Sequence, residues 1–276
     1  MSGVRDKILM CAPDYFSINY AINPWMIEHK GSSDQKKAKK QWSILKDVIS
    51  EYADVVTVEP QSGLPDMVFT ANAGLVVDQK VIPSHFIPLE RRPEEQYFKH
   101  WFKKNNFKCF ELNEQIKFEG AGDCLLDKGG SWLWTGVGFR TEIEAHAEIE
   151  RFFGIKVVAL HLVDPHFYHI DTCFCPLTGG FVMYYPPAFN SESRLAIEDR
   201  IPLHKRIIVN TMDAKNFACN AINIGNVIIL NKASSTLKSK LINVGFKIRE
   251  VDLSEFLKAG GSAKCLTLKL TESEKF

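Results

Sequence analysis

A recurrence does most to limit what this chain can fold into. Asn72, Glu119, His169, Asn220 and Cys265 stand at matching points of five successive units, separated by 47, 50, 51 and 45 residues. Self-similarity at such a period marks a repeat architecture, in which each unit buries its apolar face against its neighbours. Every unit has the same order: a helical stretch, a strand, then two strand-like runs around a turn. In the first, "ILKDVISEYA" (44–53) leads to "DVVTVEP" and then to "DMVFTANAGLVVDQKVIPS". In the second, "PEEQYFKHWFKKNNF" (93–107) leads to "KCFELN" and "FEGAGDCLLDKGGSWLWTG", with a Gly-Gly turn at 129–130. The third has the helix "TEIEAHAEIERFFG" (141–154), the strand "KVVALHL" and the hairpin "YHIDTCFCPLTGGFVMYY", where Gly179-Gly180 marks the turn. The fourth joins a helix near "SRLAIEDRI" to "RIIVN" and "FACNAINIGNVIILN". The last runs from "STLKSKLINVGF" (235–246) through "KIREVDL" and the short helical piece "SEFLKAG" to the strand "KCLTLKL".

All-β propellers share this period but carry no helices, and every unit here has one. Five helix-plus-strand units can close into a ring, which removes free sheet edges. The expectation is an α/β fold, a five-bladed αβ propeller with pseudo-fivefold repeats. It forms one catalytic domain over 1–276, with repeats at about 44–92, 93–140, 141–190, 191–234 and 235–276 plus the N-terminal segment. No linker or break in composition divides it.

Charge excludes some partners. There are 34 basic and 33 acidic residues, a net charge of +1, which gives no electrostatic case for nucleic acid or an anionic membrane surface. The lysine run "DQKKAKKQW" (34–42) sits in an amphipathic pattern with Trp42, Leu45 and Val48 and reads as a solvated helix face. No signal peptide and no membrane span are expected. The seven cysteines are odd in number and irregular in spacing, which fits reduced thiols in a cytoplasmic protein. Cys173-x-Cys175 is not a CxxC pair, so neither a zinc site nor a redox pair has support. No metal and no cofactor are expected, and an oligomer is left open.

In a closed ring, residues at matching points converge on the axis. A cysteine is most often a small buried apolar residue. Cys265, however, follows Gly260-Gly261-Ser262, where small residues let a ligand approach the backbone closely, and the alignment sets it opposite His169. A thiol is a few per cent thiolate at neutral pH, and a nearby cation raises that fraction. His169 on its own reads as a buried histidine bonded to a carbonyl. Asp171 lies two residues on, on the same face if this is a strand, and a histidine beside a carboxylate suits proton transfer. Glu119 and Asp123 flank "GAG" and read either as an exposed acidic turn or as carboxylates aimed at a cation. Glu119 and Asp171 could grip a planar guanidinium from two sides. Arg91 in "LERRPEE" and Arg140 in "TGVGFR" occupy strand-to-helix junctions of successive units, as surface ion pairs or as a pair that binds a carboxylate. His161 and His166 lack such a partner and are taken as structural. A guanidinium at one end and a carboxylate at the other describe L-arginine, a small-molecule substrate.

The segments "MCAPDYFSINYAINPWM", "PDMVFTANAGLV", "FEGAGDCLL", "WLWTGVGFRTE", "FYHIDTCFCPL", "YYPPAF", "FACNAINI" and "LKAGGSAKCLTL" together resemble the guanidino-group-modifying enzymes of the pentein fold. Among these, which include arginine deiminases, dimethylargininases and amidinotransferases, the match is narrowest to the arginine dihydrolases and covers nearly the whole chain. The resemblance implies hydrolysis of arginine to ornithine, carbon dioxide and two ammonia through a cysteine thiouronium. It implies Cys265 as nucleophile, His169 as general acid/base, and Glu119 and Asp171 as guanidinium holders with Asp123 close by. Arg91, or the adjacent Arg92, and Arg140 would then bind the carboxylate, and Asn23 in "AINPWM" lies in a segment expected to line the pocket. Some such proteins carry a further C-terminal domain, whose activity is not expected of these residues.

Asn72 separates the readings. Deiminase-type relatives tend to place a carboxylate here, which favours a cationic guanidinium but cannot donate to a ureido oxygen. Asparagine both donates and accepts, so it can keep a citrulline-like product in place for a second attack; as a bland alternative it is a turn asparagine capping its own loop. A deiminase, amidinotransferase or dimethylargininase using the same residues is the alternative enzyme, and a non-catalytic arginine-binding protein is the alternative of another class.

Overall fold

A computed structural model describes residues 5–130 and 132–271. Five three-stranded sheets repeat one plan. The hairpin Gly74–Val77 and Lys80–Pro83 is joined by Lys108–Cys109, and the hairpin Cys124–Leu126 and Trp132–Val137 by Lys156–His161. Phe174–Leu177 and Phe181–Tyr184 are joined by Arg206–Ile208, and Ile222–Ile224 and Val227–Leu230 by Lys247–Glu250. The fifth sheet pairs the late strand Leu268–Thr271 with Lys7–Cys11, and that strand with Asp54–Val58. In each sheet the middle strand runs antiparallel to the first and parallel to the third.

A parallel neighbour cannot be reached by a tight turn and needs a crossover, usually a helix. That is why every unit carries one: Gln35–Ser50, Glu94–Lys104, Ala145–Phe153, Ser191–Arg200 and Ser235–Asn243. Each sheet therefore takes the hairpin of one sequence unit and the helix and strand of the next, so the sheet boundaries fall inside the units numbered 44–92, 93–140, 141–190, 191–234 and 235–276. The architecture is the five-bladed αβ propeller of the pentein fold.

Local chemistry explains the elements. The helix Gln35–Ser50 starts well before residue 44 because Asp34 caps it, accepting the Lys37 N–H at 3.0 Å, and because Ala38, Trp42, Leu45 and Ile49 form its buried stripe. Its lysines 36, 37, 39 and 40 face solvent. In the three-residue loop Thr178–Gly180 between the third hairpin's strands, both glycines have positive φ, 80° and 74°, left-handed conformations that glycine adopts without strain. Apolar residues form four buried clusters, and Trp134, Tyr184, Phe86, Phe98, Phe102, Phe118, Phe174, Phe217 and Phe256 are fully buried. Each such side chain contributes roughly 1.5–3 kcal/mol. Among the described residues no helix is long and apolar enough to cross a membrane.

Candidate active site

The five aligned residues do not lie in the strands. Asn72 belongs to the 3₁₀ turn Thr70–Ala73, Glu119 opens the turn Gly120–Gly122, and His169 opens Ile170–Thr172. Asn220 and Cys265 occupy non-helical turns before Ile222 and Leu268. The idea that His169 and Asp171 share a strand face therefore fails: the Thr172 N–H bonds back to the His169 carbonyl at 3.1 Å, and the segment is a tight turn. Hydrogen bonds link each turn to the next around the axis. Asn72 Nδ2 donates to the Glu119 carbonyl at 3.0 Å, and the Ile170 N–H to Asp123 Oδ1 at 3.1 Å. Asn220 Nδ2 donates to the Asp171 carbonyl at 3.1 Å, and the Cys265 N–H to Asn220 Oδ1 at 3.0 Å. The Ala71 N–H closes the circuit onto the Cys265 carbonyl at 3.1 Å.

Cys265 is 3% exposed, with Asp171 Oδ2 3.4 Å from its sulfur and Asn220 Nδ2 3.0 Å from it. Burial and the Asp171 charge push the thiol pKa well above its usual range, so in the protein alone the proton stays on sulfur. Burial also raises Asp171 to about 7, against the pull of Lys264, Cys265 and Asn220.

His169 Nε2 lies 2.7 Å from Glu119 Oε2 and 3.9 Å from Asp123 Oδ2. Burial alone would raise Glu119, but Arg140, His169 and Arg91 outweigh it and hold the carboxyl at about 2. For His169 burial wins and lowers it to about 4, despite the bond to Glu119. The pair at neutral pH is thus a carboxylate facing a neutral imidazole. Nε2 must carry the hydrogen that Glu119 accepts, and this leaves Nδ1 as the basic nitrogen. Glu119 spends its oxygens on His169, Arg140 Nη1 at 2.9 Å and the Ile87 N–H at 3.2 Å. It is a partner to the histidine rather than an open jaw for a guanidinium. Burial and the Glu119 charge raise Asp123 well above the usual carboxylate range.

Asn23, Asn72, Arg91, Arg140, His169 and Cys265 line one pocket. Glu119, Asp123 and Asp171 stand behind that wall. The pocket's volume is about 10 Å³, room for about one water molecule. Asn23 caps the helix Pro24–His29 through the Met26 N–H and reaches Tyr168 Oη and the Ala259 carbonyl, at 3.3 and 3.1 Å. Gly122 makes room for the site: a Cβ there would sit 2.2 Å from Asn72 Nδ2 and 3.3 Å from His169 Nδ1.

Both arginines arrive already paired. Arg91 meets Glu94 at 2.8 Å and donates Nη1 to Asn72 Oδ1 at 2.9 Å; Arg140 pairs with Glu119, donates to the Ile22 carbonyl at 2.7 Å and lies over the Tyr168 ring. Arg92 is exposed and bonds the Phe86 carbonyl, outside the lining. Two acidic residues escaped the sequence analysis. Glu94 is fully buried, raised to about 7 by burial. Asp66 lines the pocket, accepts from Tyr20 Oη at 2.7 Å, and keeps Oδ1 without a partner. The one signal for Asp66 was an acid beside the apolar run "MVF"; Glu94, in the charged stretch "RPEEQ", carried none. Of the other histidines, His166 is exposed beside Asp164, and His161 lies outside the lining. Among the described residues no group of three or more His, Cys, Asp or Glu could hold a metal ion.

A family model for eukaryotic N,N dimethylarginine dimethylhydrolase matches residues 12–272. The bifunctional arginine dihydrolase/ornithine cyclodeaminase ArgZ of Synechocystis sp. is 54% identical over 96% of this chain and 38% of its own length. The chain thus spans well under half of that relative. The N(G),N(G)-dimethylarginine dimethylaminohydrolase of Mycobacterium tuberculosis is 37% identical over 96% of this chain and 85% of its own length. Among solved structures, the substrate-bound N-terminal domain of ArgZ, described as an arginine dihydrolase, superposes with a TM-score of 0.96 at 54% identity, over 97% of this chain and 98% of that one. The chain belongs to the dimethylarginine dimethylhydrolase family, within the guanidino-group-modifying pentein superfamily.

Proposed function

We propose that this chain is an arginine dihydrolase, as ArgZ is named, and hydrolyses L-arginine to ornithine, carbon dioxide and two ammonia. The observation that carries the reading is one pocket that sets a thiol, a neutral histidine and Asn72 together, with Asp66, Arg91 and Arg140 in the same wall. A guanidinium entering beside Asp171 supplies the cation that burial denies the thiol, so Cys265 ionises when substrate is present. The thiolate attacks the guanidinium carbon. His169 carries the thiol proton to the departing ammonia, and a covalent thiouronium remains. Nδ1 of His169 then takes a proton from water, whose oxygen displaces the sulfur to give citrulline. Asn72 has one N–H and one lone pair uncommitted, enough to hold first the guanidinium and then the ureido oxygen for a second attack. Asp66 Oδ1 suits an ammonium, and Arg140, which keeps N–H groups free, suits the carboxylate.

The test follows citrulline, ornithine and ammonia together after purified protein meets arginine. Two ammonia per ornithine without lasting citrulline is expected; citrulline as the end product would make this a deiminase. His169→Ala should lose about 10²–10⁴-fold in kcat, and near-full activity would remove it from the mechanism. All seven cysteines are free, which supports a reducing compartment such as the cytoplasm.

A further inference from the structure

Asn220 is fully buried behind the pocket wall, and its carboxamide makes four hydrogen bonds around the nucleophile. Oδ1 accepts the Ser262 N–H at 3.1 Å and the Cys265 N–H at 3.0 Å. Nδ2 donates to the Asp171 carbonyl at 3.1 Å and to Cys265 Sγ at 3.0 Å. These use both lone pairs and both hydrogens of an asparagine. The orientation is forced: reversing the amide would turn its NH₂ onto two backbone N–H groups and its oxygen onto a carbonyl and a sulfur. A hydrogen therefore always points at the sulfur.

We propose that Asn220 is a positioning residue that stabilises the Cys265 thiolate, its amide N–H fixed on the sulfur by the two backbone amides its oxygen holds. The inference rests on the reading of Cys265 as nucleophile. The need for such a donor is local. Asp171 Oδ2 lies 3.4 Å from the sulfur, so a thiolate forms beside a carboxylate in a dry site. Charge-assisted bonds to fixed donors are the strong ones, and here the donor needs no reorganisation when the charge appears. Asn220 also spans three units, joining the Asp171 turn to the Gly-Gly-Ser loop, so the sulfur is aimed as well as stabilised.

Two substitutions separate this role from a structural one. Asn220→Asp keeps an oxygen for both backbone amides but turns a second, negative oxygen toward the sulfur. Asn220→Ala removes all four bonds without adding charge. Iodoacetamide alkylation of Cys265, followed by peptide mass spectrometry across pH, reads the thiolate directly. The expected order of rate is wild type, then Ala, then Asp, with the Asp variant slowed at least about tenfold and its midpoint moved to higher pH. A merely structural Asn220 predicts the reverse, with Asp near wild type and Ala the worst, and that result overturns the proposal. If the Ala variant fails to fold, unchanged alkylation in the Asp variant overturns it equally. With arginine, the Asp variant should lose about 10²-fold in kcat, as for loss of an oxyanion donor, with KM altered far less because Asn220 lies outside the lining. Alkylation does not depend on the substrate. The expected order without arginine turnover would therefore sink the proposed activity and leave this inference standing.

Discussion

Asn72 bonds Glu119 through that residue's backbone carbonyl and Arg91 through its guanidinium, and still keeps one donor and one acceptor open. Asn72→Asp removes the donor, so we expect citrulline to accumulate at the expense of ornithine, or turnover to stop; an unchanged ornithine yield in the product assay would count against the role. Glu119 gives a second prediction. Its folded pKa of about 2 lies below the ordinary 4.5, so its stabilising contribution is complete above pH 4.5 and is lost as pH falls toward 2. Glu119→Gln should lower the urea midpoint at pH 7, because Arg140 loses its buried partner, and should flatten the fall in midpoint between pH 4.5 and 2. At this scale the repeat alignment exposed Asn72, Glu119, His169 and Cys265, since matching points of a ring must meet. Asp66 and Glu94 were not legible, because neither lies at a repeated position. Glu94 acquires meaning only when the fold buries Arg91 against it.

At the scale of elements, the five axial turns behave as one collar, each held to the next by hydrogen bonds. Their sequences read as strand beginnings because apolar and small residues alternate there. The 3₁₀ geometry of "TANA", "GAG" and "IDT" is closed by local bonds such as the Thr172 N–H to the His169 carbonyl, and what no local pattern reveals is the set of bonds that ties each turn to the next. The collar leaves little slack. Gly122→Ala should drive Asn72 from its place, with a stability cost of about 1–3 kcal/mol and a disproportionate loss of kcat. Full activity with normal melting would show that the turn can yield. The helices, by contrast, were legible in kind from periodicity, and the ends moved where caps such as Asp34 intervene.

At the scale of the whole molecule, the ring is completed by pairing Leu268–Thr271 with Lys7–Cys11. The fivefold repeat in the sequence implied closure. It did not reveal which strands share a blade, because parallel partners come from beyond the crossover helix. The closure makes the cut in the chain arbitrary. A permuted protein, linked from residue 271 to residue 5 and opened at Gly225-Asn226, should unfold in one cooperative transition and keep its activity. Deleting 268–271 should abolish that cooperativity, since it leaves Lys7–Cys11 with an open edge. Circular dichroism melts of the two proteins decide between these outcomes.

That shared blade also orders events during synthesis. Lys7–Cys11 leaves the ribosome first among the ring strands, and its antiparallel partner leaves last, only a few residues behind Cys265. The nascent ring must wait half-built, and a polypeptide released early lacks both its seal and the Cys265 thiol proposed as nucleophile. Under the proposed mechanism, premature fragments of this chain are therefore chemically silent: the thiol is delivered by the same stretch that closes the ring.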